Sequence, residues 1–440
     1  MQALLDCWRE ANFSYFMRLW KSLKLNPWFW SGLFFFALFN QGAWCDSGNY
    51  NSVLLGERAA GMGGAFTAMT GDPAACSYYN PATLALMEGT SFSASANLYN
   101  KYDTSFSNAG NLSDSTLKLN RGSFQGIPSS AGSANAFGTF AVGISIITPD
   151  YDIFNGDISL NSDPNATSFV NYKDQSLWVG GNLAINFTPD LSAGITVYYT
   201  SRDFQRATAD QTVVGSTTKF TYEEKVFTSN NVVYILGSYY RISPRFALGL
   251  SMRLPSIQLS GDGSYFHSVL DTSVSGKTTI TSQKNIASLT HIPMKLAAGI
   301  AYEVPKVIAI AFDVTGYGAD SYRDLADPNA GDQISFRQVI NYSLGAEYYL
   351  RNWLALRSGV FTNFSSHEEI TDVPQRQGDH IDMLGFSANV GFFTGKTSIS
   401  LGGYFTGGRG ESTQEVGQKI VVTPKVQYIY SFLVASSYHF

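Results

Sequence analysis

Three cations are the clearest candidates for ligand chemistry because they alternate with apolar residues. They are Arg253, Lys295 and Arg357. In a stretch of period two, successive side chains face opposite sides, so these cations should point into an interior while their apolar neighbours face outward. Guanidinium and ammonium groups hydrogen-bond strongly to carboxylates. We expect the three cations either to bind an anionic group of a ligand or to pair with inward-facing carboxylates such as Glu303 and Glu347.

Two aromatic residues on inward-facing positions are candidates for an apolar pocket. Phe393 and Tyr404 alternate to the same side as their small neighbours. Small-molecule sites are usually apolar with a few polar anchors, which these aromatics and the cations could supply. The alternative is that they belong to aromatic girdles like those of membrane barrels.

No catalytic or metal-binding constellation is recognisable. The five histidines have no metal-ligand spacing to another ligand, and there is no G-x-S-x-G elbow. Gly-Lys-Thr triplets begin at Gly276 and Gly395, but each lacks the glycine five residues earlier that a phosphate loop requires. Cys76, the lone cysteine after the leader described below, is expected to be a small buried hydrophobe. We therefore expect a protein that is not an enzyme and uses no cofactor or metal.

The composition of the 440 residues narrows the class of protein. Charged residues make up 14%, against roughly 25% in a typical soluble domain. Aromatic residues also make up 14%, and there are 41 glycines. This combination suits strands that meet apolar surroundings on one face. The net charge of -5 offers no basic surface, so we expect no nucleic-acid partner.

Strands that alternate between apolar and small or polar residues recur from residue 88 to residue 440. Clear examples are Phe246–Leu254, Ile292–Val304 and Ile340–Leu350. A soluble sandwich has the same alternation, so the strands alone leave the fold open. The connections favour a membrane barrel, because short turns alternate with long polar stretches as they do in such barrels.

The predicted short turns lie near Pro128–Ala134, Thr188–Asp190, Ser243–Pro244, Val304–Lys306, Arg351–Asn352 and Thr394–Lys396. The predicted long loops are Pro149–Ser168, Arg202–Glu224, Ser260–Ser288, Gly316–Ser335, Ser365–His380 and Gly407–Lys419. Six short hairpins with one further strand at each end predict an all-β, 14-stranded antiparallel transmembrane β-barrel. An even number of strands returns both ends to the periplasmic side.

Residues 1–45 have the features of a secretory signal. Arg18, Lys21 and Lys24 precede Trp28–Phe39, an apolar run too short for a comfortable membrane helix. Met17 directly precedes these basic residues and offers an alternative start. We expect export, and a membrane position for the rest of the chain as a closed barrel.

The last predicted strand, about Lys425–Phe440, presents an aromatic and apolar face. Its members are Val426, Tyr428, Tyr430, Phe432, Val434, Tyr438 and Phe440. A C-terminal Phe on such a strand resembles the assembly signal of outer-membrane proteins. The resemblance implies contacts with the barrel-assembly machinery, unless the aromatic end belongs to an ordinary edge strand. Long apolar edge strands are normally avoided.

Residues 46–87 lack this alternation and are rich in small residues. They contain Ala59–Ala65 (AAGMGGA), then Asp72, then Asn80-Pro81-Ala82. A compact segment before the first strand could fold into the lumen, which the side chains of 14 strands would not obviously fill. The alternative is an ordinary periplasmic tail.

These motifs resemble the N-terminal hatch of the FadL/TodX family of outer-membrane transporters for long-chain fatty acids and other hydrophobic compounds. Asn341–Tyr348 (NYSLGAEY) and Leu356–Gly359 (LRSG) agree with it. A looser resemblance points to the FadL-like proteins of spirochaetes. The resemblance covers about residues 56–440, and it assigns five residues to the hatch by motif: Gly61, Gly63, Gly64, Asn80 and Pro81.

The N-terminal residues predict a signal region (1–45), and the resemblance implies a luminal hatch (46–87) and a barrel (88–440). It also implies passive, hatch-gated uptake of fatty acids or other hydrophobic small molecules across the outer membrane, with outer-membrane lipid as a partner. Arg253, Lys295 or Arg357 would then meet the carboxylate of a fatty acid. Two alternatives stay open: a barrel whose loops bind host or matrix molecules, and a general porin for polar solutes.

Overall fold

The computed structural model describes residues 48–107, 116–159, 166–214, 216–272, 277–370, 378–416 and 419–440. The predicted signal region lies outside these residues. Among them, no helix has the length and apolar character needed to cross a bilayer.

The described residues form two short α-helices, a 3-10 helix and nineteen strands. The helices are α1 (Glu57–Gly61), α2 (Pro73–Tyr79) and the 3-10 helix Pro81–Leu86. The strands are β1 (Thr90–Ser107), β2 (Thr116–Phe137), β3 (Phe140–Ile147), β4 (Tyr151–Ser159), β5 (Ala166–Thr188), β6 (Leu191–Val214), β7 (Thr217–Ser243), β8 (Phe246–Arg253), β9 (Ile257–Asp271), β10 (Lys277–Ile286), β11 (Lys295–Val304), β12 (Ile308–Tyr317), β13 (Asp320–Arg323), β14 (Gln333–Phe336), β15 (Val339–Arg351), β16 (Leu354–Asn363), β17 (His380–Phe393), β18 (Thr397–Val416) and β19 (Lys419–His439).

Seventeen of these strands form one antiparallel sheet, and β13 and β14 form a separate hairpin. Six strands form three interrupted staves, a stave being one strand position of the wall. Strands β3 and β4 both pair with β5, and β8 and β9 both pair with β7. Strands β10 and β11 pair with β9 and β8, respectively. The wall therefore has 14 staves. Strand β1 pairs with β19 from Ser91↔His439 to Phe106↔Lys425, which closes the barrel and removes both sheet edges.

The outer face of the barrel carries the apolar half of each alternating strand. In β3, Phe140, Val142, Ile144 and Ile146 are exposed, while Ala141 between them is fully buried. The same alternation runs through β15 and β19. An apolar exterior over a small and polar interior is the surface that lipid requires. The 14-stranded barrel predicted from the sequence is therefore confirmed.

Five of the six predicted turns lie where strands reverse, and the first is wrong. Pro128–Ala134 lies inside β2, and the chain reverses instead at Gly138 and Thr139. The proline is tolerated because the register of β1 and β2 shifts there, with Ala96 opposite Pro128 and Ser95 opposite Ser130. A bulge accommodates a residue that has no N–H to donate to the ladder.

Several stretches predicted as long loops are strand extensions. Residues 202–214 belong to β6 and residues 217–224 to β7, and the two strands pair from Leu191↔Tyr240 to Val214↔Thr217. Residues 260–271 and 277–286 belong to β9 and β10. Polar residues are frequent on both faces of these extensions, although Phe204 is buried in a cluster with Phe227. The regular alternation that marks the wall is therefore lost while the hydrogen-bonded ladder continues.

Residues 48–87, here called the luminal segment, lie inside the barrel. Helix α1 contacts β16–β19, α2 contacts β1–β3 and β6, and the 3-10 helix contacts β5–β7. These strands lie on different sides of the wall. Leu55, Met62, Phe66 and Cys76 of the segment are fully buried, so the small apolar role expected for Cys76 agrees with its position.

Candidate functional site

Ion pairs attach the luminal segment to the wall. Arg58 donates to Glu303 at 2.7 Å and to Glu347 at 2.5 Å. Arg357 donates to the other oxygen of Glu347 at 2.7 Å and to Glu57 at 3.3 Å. Glu57 and Glu347 are buried, so each charge depends on the partners that this network supplies.

Glu57 is bound by three side chains of the wall. Its carboxylate accepts hydrogen bonds from the hydroxyls of Ser398 and Ser400, both at 2.6 Å. Burial by itself would raise the pKa of Glu57. The charge of Arg357 and the two serine hydrogen bonds outweigh that effect and lower the pKa below its ordinary value. The residue is therefore anionic and held to β16 and β18.

Backbone groups of the luminal segment are also bound by wall side chains. One oxygen of Asp313 accepts hydrogen bonds from the backbone N–H groups of Phe66 and Thr67, both at 2.8 Å. The Asn80 amide donates to Thr67 O at 2.7 Å and to Ser238 O at 2.9 Å, which links two parts of the segment to β7. These bonds satisfy backbone groups that a buried irregular segment would otherwise leave unpaired.

Wall glycines make room for the segment. A Cβ added to Gly359 would lie 2.3 Å from Gly63 N, and one added to Gly194 would lie 2.5 Å from the carbonyl carbon of Pro81. Gly63 and Gly64 have φ values of 66° and 79°, a region that favours glycine. Gly61 packs against Asn389. All five residues assigned to a hatch by motif thus lie within the luminal segment, whose gating role is a proposal below.

A cavity lies between the luminal segment and the β13–β14 hairpin. Tyr50 and Tyr78 line it from the luminal segment, and Tyr322 and Phe336 line it from the hairpin. The wall contributes further residues that reach the cavity from five staves: Trp178, Arg202, Asn231, Arg253 and Tyr317. The lining combines six Tyr, Trp or Phe side chains with nine polar or charged ones, among them Asp150 and Asp174.

Arg253 is a cation of this cavity, and Lys295 is a second cation next to it in the wall. They are opposite each other in the register of β8 and β11 and are 5% and 8% exposed. Arg253 lines the cavity, donates to Pro293 O at 3.1 Å and lies 5.8 Å from the centre of the Trp178 ring. Lys295 Nζ lies 4.8 Å from the ring centre of Tyr78, another lining residue. Among the described residues, neither cation is within ion-pair distance of a carboxylate.

The other three candidate ligand residues lie apart from the cavity lining. Arg357 bonds to Glu347, Glu57 and Ser400. Phe393 is half-buried beside Arg357, with its ring centre 5.4 Å from the guanidinium. Tyr404 is buried, packs in one cluster with Leu54 and Ala60 of the luminal segment, and accepts a hydrogen bond from Asn97. All three residues thus surround the attachment of the luminal segment.

Sequence reasoning missed most of the cavity. Tyr78, Trp178 and Tyr317 are separated by 100 or more residues along the chain, and only the barrel brings them together. It also missed the wall glycines that face the luminal segment. These glycines could have been recognised from the sequence, because Gly194, Gly237 and Gly359 occupy inward positions of alternating strands. At such a position the missing side chain leaves room for another backbone.

Comparisons with known proteins agree with this architecture. Residues 53–379 match the sequence model of the family described as outer membrane protein transport protein (OMPP1/FadL/TodX). A search of curated protein sequences found no match.

Solved structures with the same fold include a FadL homologue from Pseudomonas aeruginosa, which is 12% identical over 91% of this chain and 100% of its own, with a TM-score of 0.66. The Pseudomonas putida toluene transporter TodX is 13% identical over 88% and 98%, with a TM-score of 0.59. The Ralstonia pickettii toluene transporter TbuX is 15% identical over the same shares, with a TM-score of 0.56.

At these identities the structural likeness establishes the fold, and the match over most of the chain establishes the family. The chain therefore belongs to the OMPP1/FadL/TodX family, whose members are transport channels for hydrophobic compounds in the bacterial outer membrane and are not enzymes.

Proposed function

We propose that this protein takes up long-chain fatty acids, or similar hydrophobic molecules with an acid group, across the outer membrane by passive diffusion. The observation that carries the proposal is the Arg253–Lys295 pair, two buried cations without an ion-pair partner among the described residues, beside a cavity lined partly by aromatic side chains. A buried charge is costly unless it is paired, so an anionic ligand would complete the site. The apolar part of the ligand would contact Tyr78, Trp178 and Tyr317.

The test is binding of labelled octadecanoic acid to the refolded protein and to the variants Arg253→Met and Lys295→Met. We expect saturable binding, weakened about tenfold or more by either change, because hydrogen bonds to charged groups contribute roughly 1.5–3 kcal/mol. The matched control is Arg245→Met, which removes a cation from the exposed turn that precedes β8. Equal affinity of all four proteins would contradict an acid-binding role for the pair.

A second candidate substrate class is neutral aromatic hydrocarbons. The aromatic part of the lining favours it, and two of the solved relatives are toluene transporters by their descriptions. A neutral ligand makes no use of the two cations. Saturable toluene binding that both Met variants retain, together with no binding of octadecanoic acid, would favour this class.

We further propose that the luminal segment is the gate of this pathway and that the ligand leaves sideways through the wall. The interruption between β3 and β4 supports this, because Pro149 and Asp150 lie in it and line the cavity. Where β3 ends at this interruption, the backbone N–H of Thr148 donates to the carbonyl oxygen of Ser129 in β2 at 3.0 Å.

A disulfide at this edge tests the exit. Cysteines at Ser129 and Thr148 would join the two strands where they already pair. We expect the oxidised variant to bind octadecanoic acid but to lose its uptake into cells, and reduction to restore that uptake. Uptake that is unchanged after complete oxidation would place the exit elsewhere.

A further inference from the structure

Three buried polar atoms of the cavity lining lack a hydrogen-bond partner among the described residues. They are the indole nitrogen of Trp178, the side-chain amide oxygen of Asn231 and the hydroxyl of Thr290. The residues are 1%, 1% and 4% exposed. Buried polar groups in folded proteins are almost always bonded, and leaving one unpaired is unfavourable. The lining is therefore suited to a polar group that arrives within the cavity.

Trp178 of β5 and Asn231 of β7 lie on either side of β6, and Thr290 lies between β10 and β11. Trp178 pairs with Thr200, Thr200 pairs with Asn231, and Asn231 pairs with Gln258. The side chain of Gln258 in turn accepts a hydrogen bond from the backbone N–H of Thr290 at 3.1 Å. Trp178, Asn231 and Thr290 are here called the polar row.

The polar row lies further out than the pairing level of the two cations. Arg253 pairs with Ile235, which follows Asn231 by four residues towards the periplasmic turn of β7. Four residues of strand span about 13 Å. The long Arg253 side chain extends towards the polar row, because its guanidinium lies 5.8 Å from the centre of the Trp178 ring. A carboxylate bound by Arg253 would therefore lie near the Trp178 ring, and a chain extending from it towards Asn231 and Thr290 would reach these two residues several carbons further along.

The chemistry of the three atoms selects the group that would satisfy them. The amide oxygen of Asn231 requires a donor, and the indole N–H of Trp178 requires an acceptor. A keto oxygen only accepts, whereas a hydroxyl both donates and accepts. The hydroxyl of Thr290 can take either role.

We propose that the preferred ligand is a hydroxylated long-chain acid, with its hydroxyl several carbons from the carboxylate and bound by the polar row. This inference rests on the proposed function, because the cations at Arg253 and Lys295 set the position of the carboxylate. It goes further by assigning Trp178, Asn231 and Thr290 as residues that determine specificity.

The test compares octadecanoic, 2-hydroxyoctadecanoic and 12-hydroxyoctadecanoic acids by competition against labelled octadecanoic acid on the full-length refolded protein. We expect the 12-hydroxy acid to bind about threefold to tenfold more tightly than the unsubstituted acid, the range of one or two net hydrogen bonds. The 2-hydroxy acid should show no such gain, since its hydroxyl stays beside the carboxylate. These comparisons on the unaltered protein do not depend on any variant.

The double variant Asn231→Leu with Thr290→Val should remove the preference for the 12-hydroxy acid, measured as the ratio of its affinity to that of octadecanoic acid on the same variant. Thr290→Val alone should reduce the preference, and this single variant serves as the test if the double variant does not fold. The matched control is Ser229→Ala. Ser229 is a buried residue of β7 whose hydroxyl has no partner within the described part of the chain. It lies outside the cavity lining, so the preference should persist.

The possible failures are distinguishable. Binding of octadecanoic acid with no preference for the 12-hydroxy acid would overturn the role of the polar row and leave the proposed function standing. A preference that survives the double variant would overturn the assignment of Asn231 and Thr290. No saturable binding of any of the three acids by a folded barrel would overturn the proposed function and this inference together.

Discussion

At the scale of single residues, the decisive feature is how buried charges are shared between the luminal segment and the wall. Arg58 contacts two carboxylates in different surroundings. The Glu347 side chain is fully buried and also binds Arg357, whereas the Glu303 side chain is 37% exposed. Solvent screens an exposed pair, but a buried cation that loses its partner has no substitute.

These surroundings predict unequal costs for the same chemical change. Glu347→Gln should lower the free energy of unfolding by about 3 kcal/mol, because it removes the negative charge that both Arg58 and Arg357 bind. Glu303→Gln should lower it by no more than about 1 kcal/mol. Denaturant titration of both variants and the unaltered barrel in lipid vesicles gives the comparison. Equal losses would show that burial of the Glu347 pair does not control the attachment.

At the scale of elements, the β13–β14 hairpin covers the outer side of the cavity. Its Asp324 is buried and accepts a hydrogen bond from the equally buried Lys225 of β7 at 2.9 Å. Leu325, next to it, packs against Phe204 and Phe227 of the extended strands. The extended strands β6 and β7 therefore provide a binding surface for the hairpin outside the membrane.

Loss of this ion pair should loosen the hairpin without unfolding the barrel. For Asp324→Asn we expect amide hydrogen exchange in residues 320–336 to accelerate at least tenfold, since a charged hydrogen bond of about 1.5 kcal/mol or more is lost from the closed state. Exchange in β15 and β16 should stay unchanged. The matched control, Asp262→Asn, removes an exposed carboxylate of β9. Slow exchange in both variants would mean that the apolar packing alone holds the hairpin.

At the scale of the whole molecule, the 14-stranded wall and the luminal segment together determine what can pass. A barrel of this size encloses more space than its own side chains obviously fill. Here that space holds α1, α2 and the 3-10 helix, bound to strands on different sides of the wall. The wall therefore encloses a folded segment rather than an open aqueous channel along its length.

This arrangement predicts low ion conductance. The intact protein in a planar bilayer should show little steady current, and a variant lacking residues 48–87 should conduct ions through the emptied lumen. Retention of the folded barrel on an unheated electrophoresis gel is the control for the deletion. If the intact protein conducted as well as the deletion variant, the general-porin alternative would regain support and occlusion by the luminal segment would be excluded.

The sequence by itself determined the class of fold. Period-two alternation, as in Ile340–Leu350, depends only on the geometry of a strand with lipid on one side, so it can be read locally. Most turns, such as Thr188–Asp190, carry residues that interrupt strands by their own backbone preferences. The motifs Ala59–Ala65 and Asn80-Pro81-Ala82 indicated the family that the comparison then established.

Only the tertiary structure decided which inward-facing groups meet. Arg253, Lys295 and Arg357 look alike in sequence, yet Arg357 bonds to Glu57, 300 residues away, while the other two lie beside the cavity without a carboxylate partner among the described residues. The strand extensions beyond residue 202 were also hidden, because polar residues interrupt the alternation there although the strands continue to pair. Partners, cavities and unpaired atoms depend on closure of the wall and its register, which join residues that no local pattern connects.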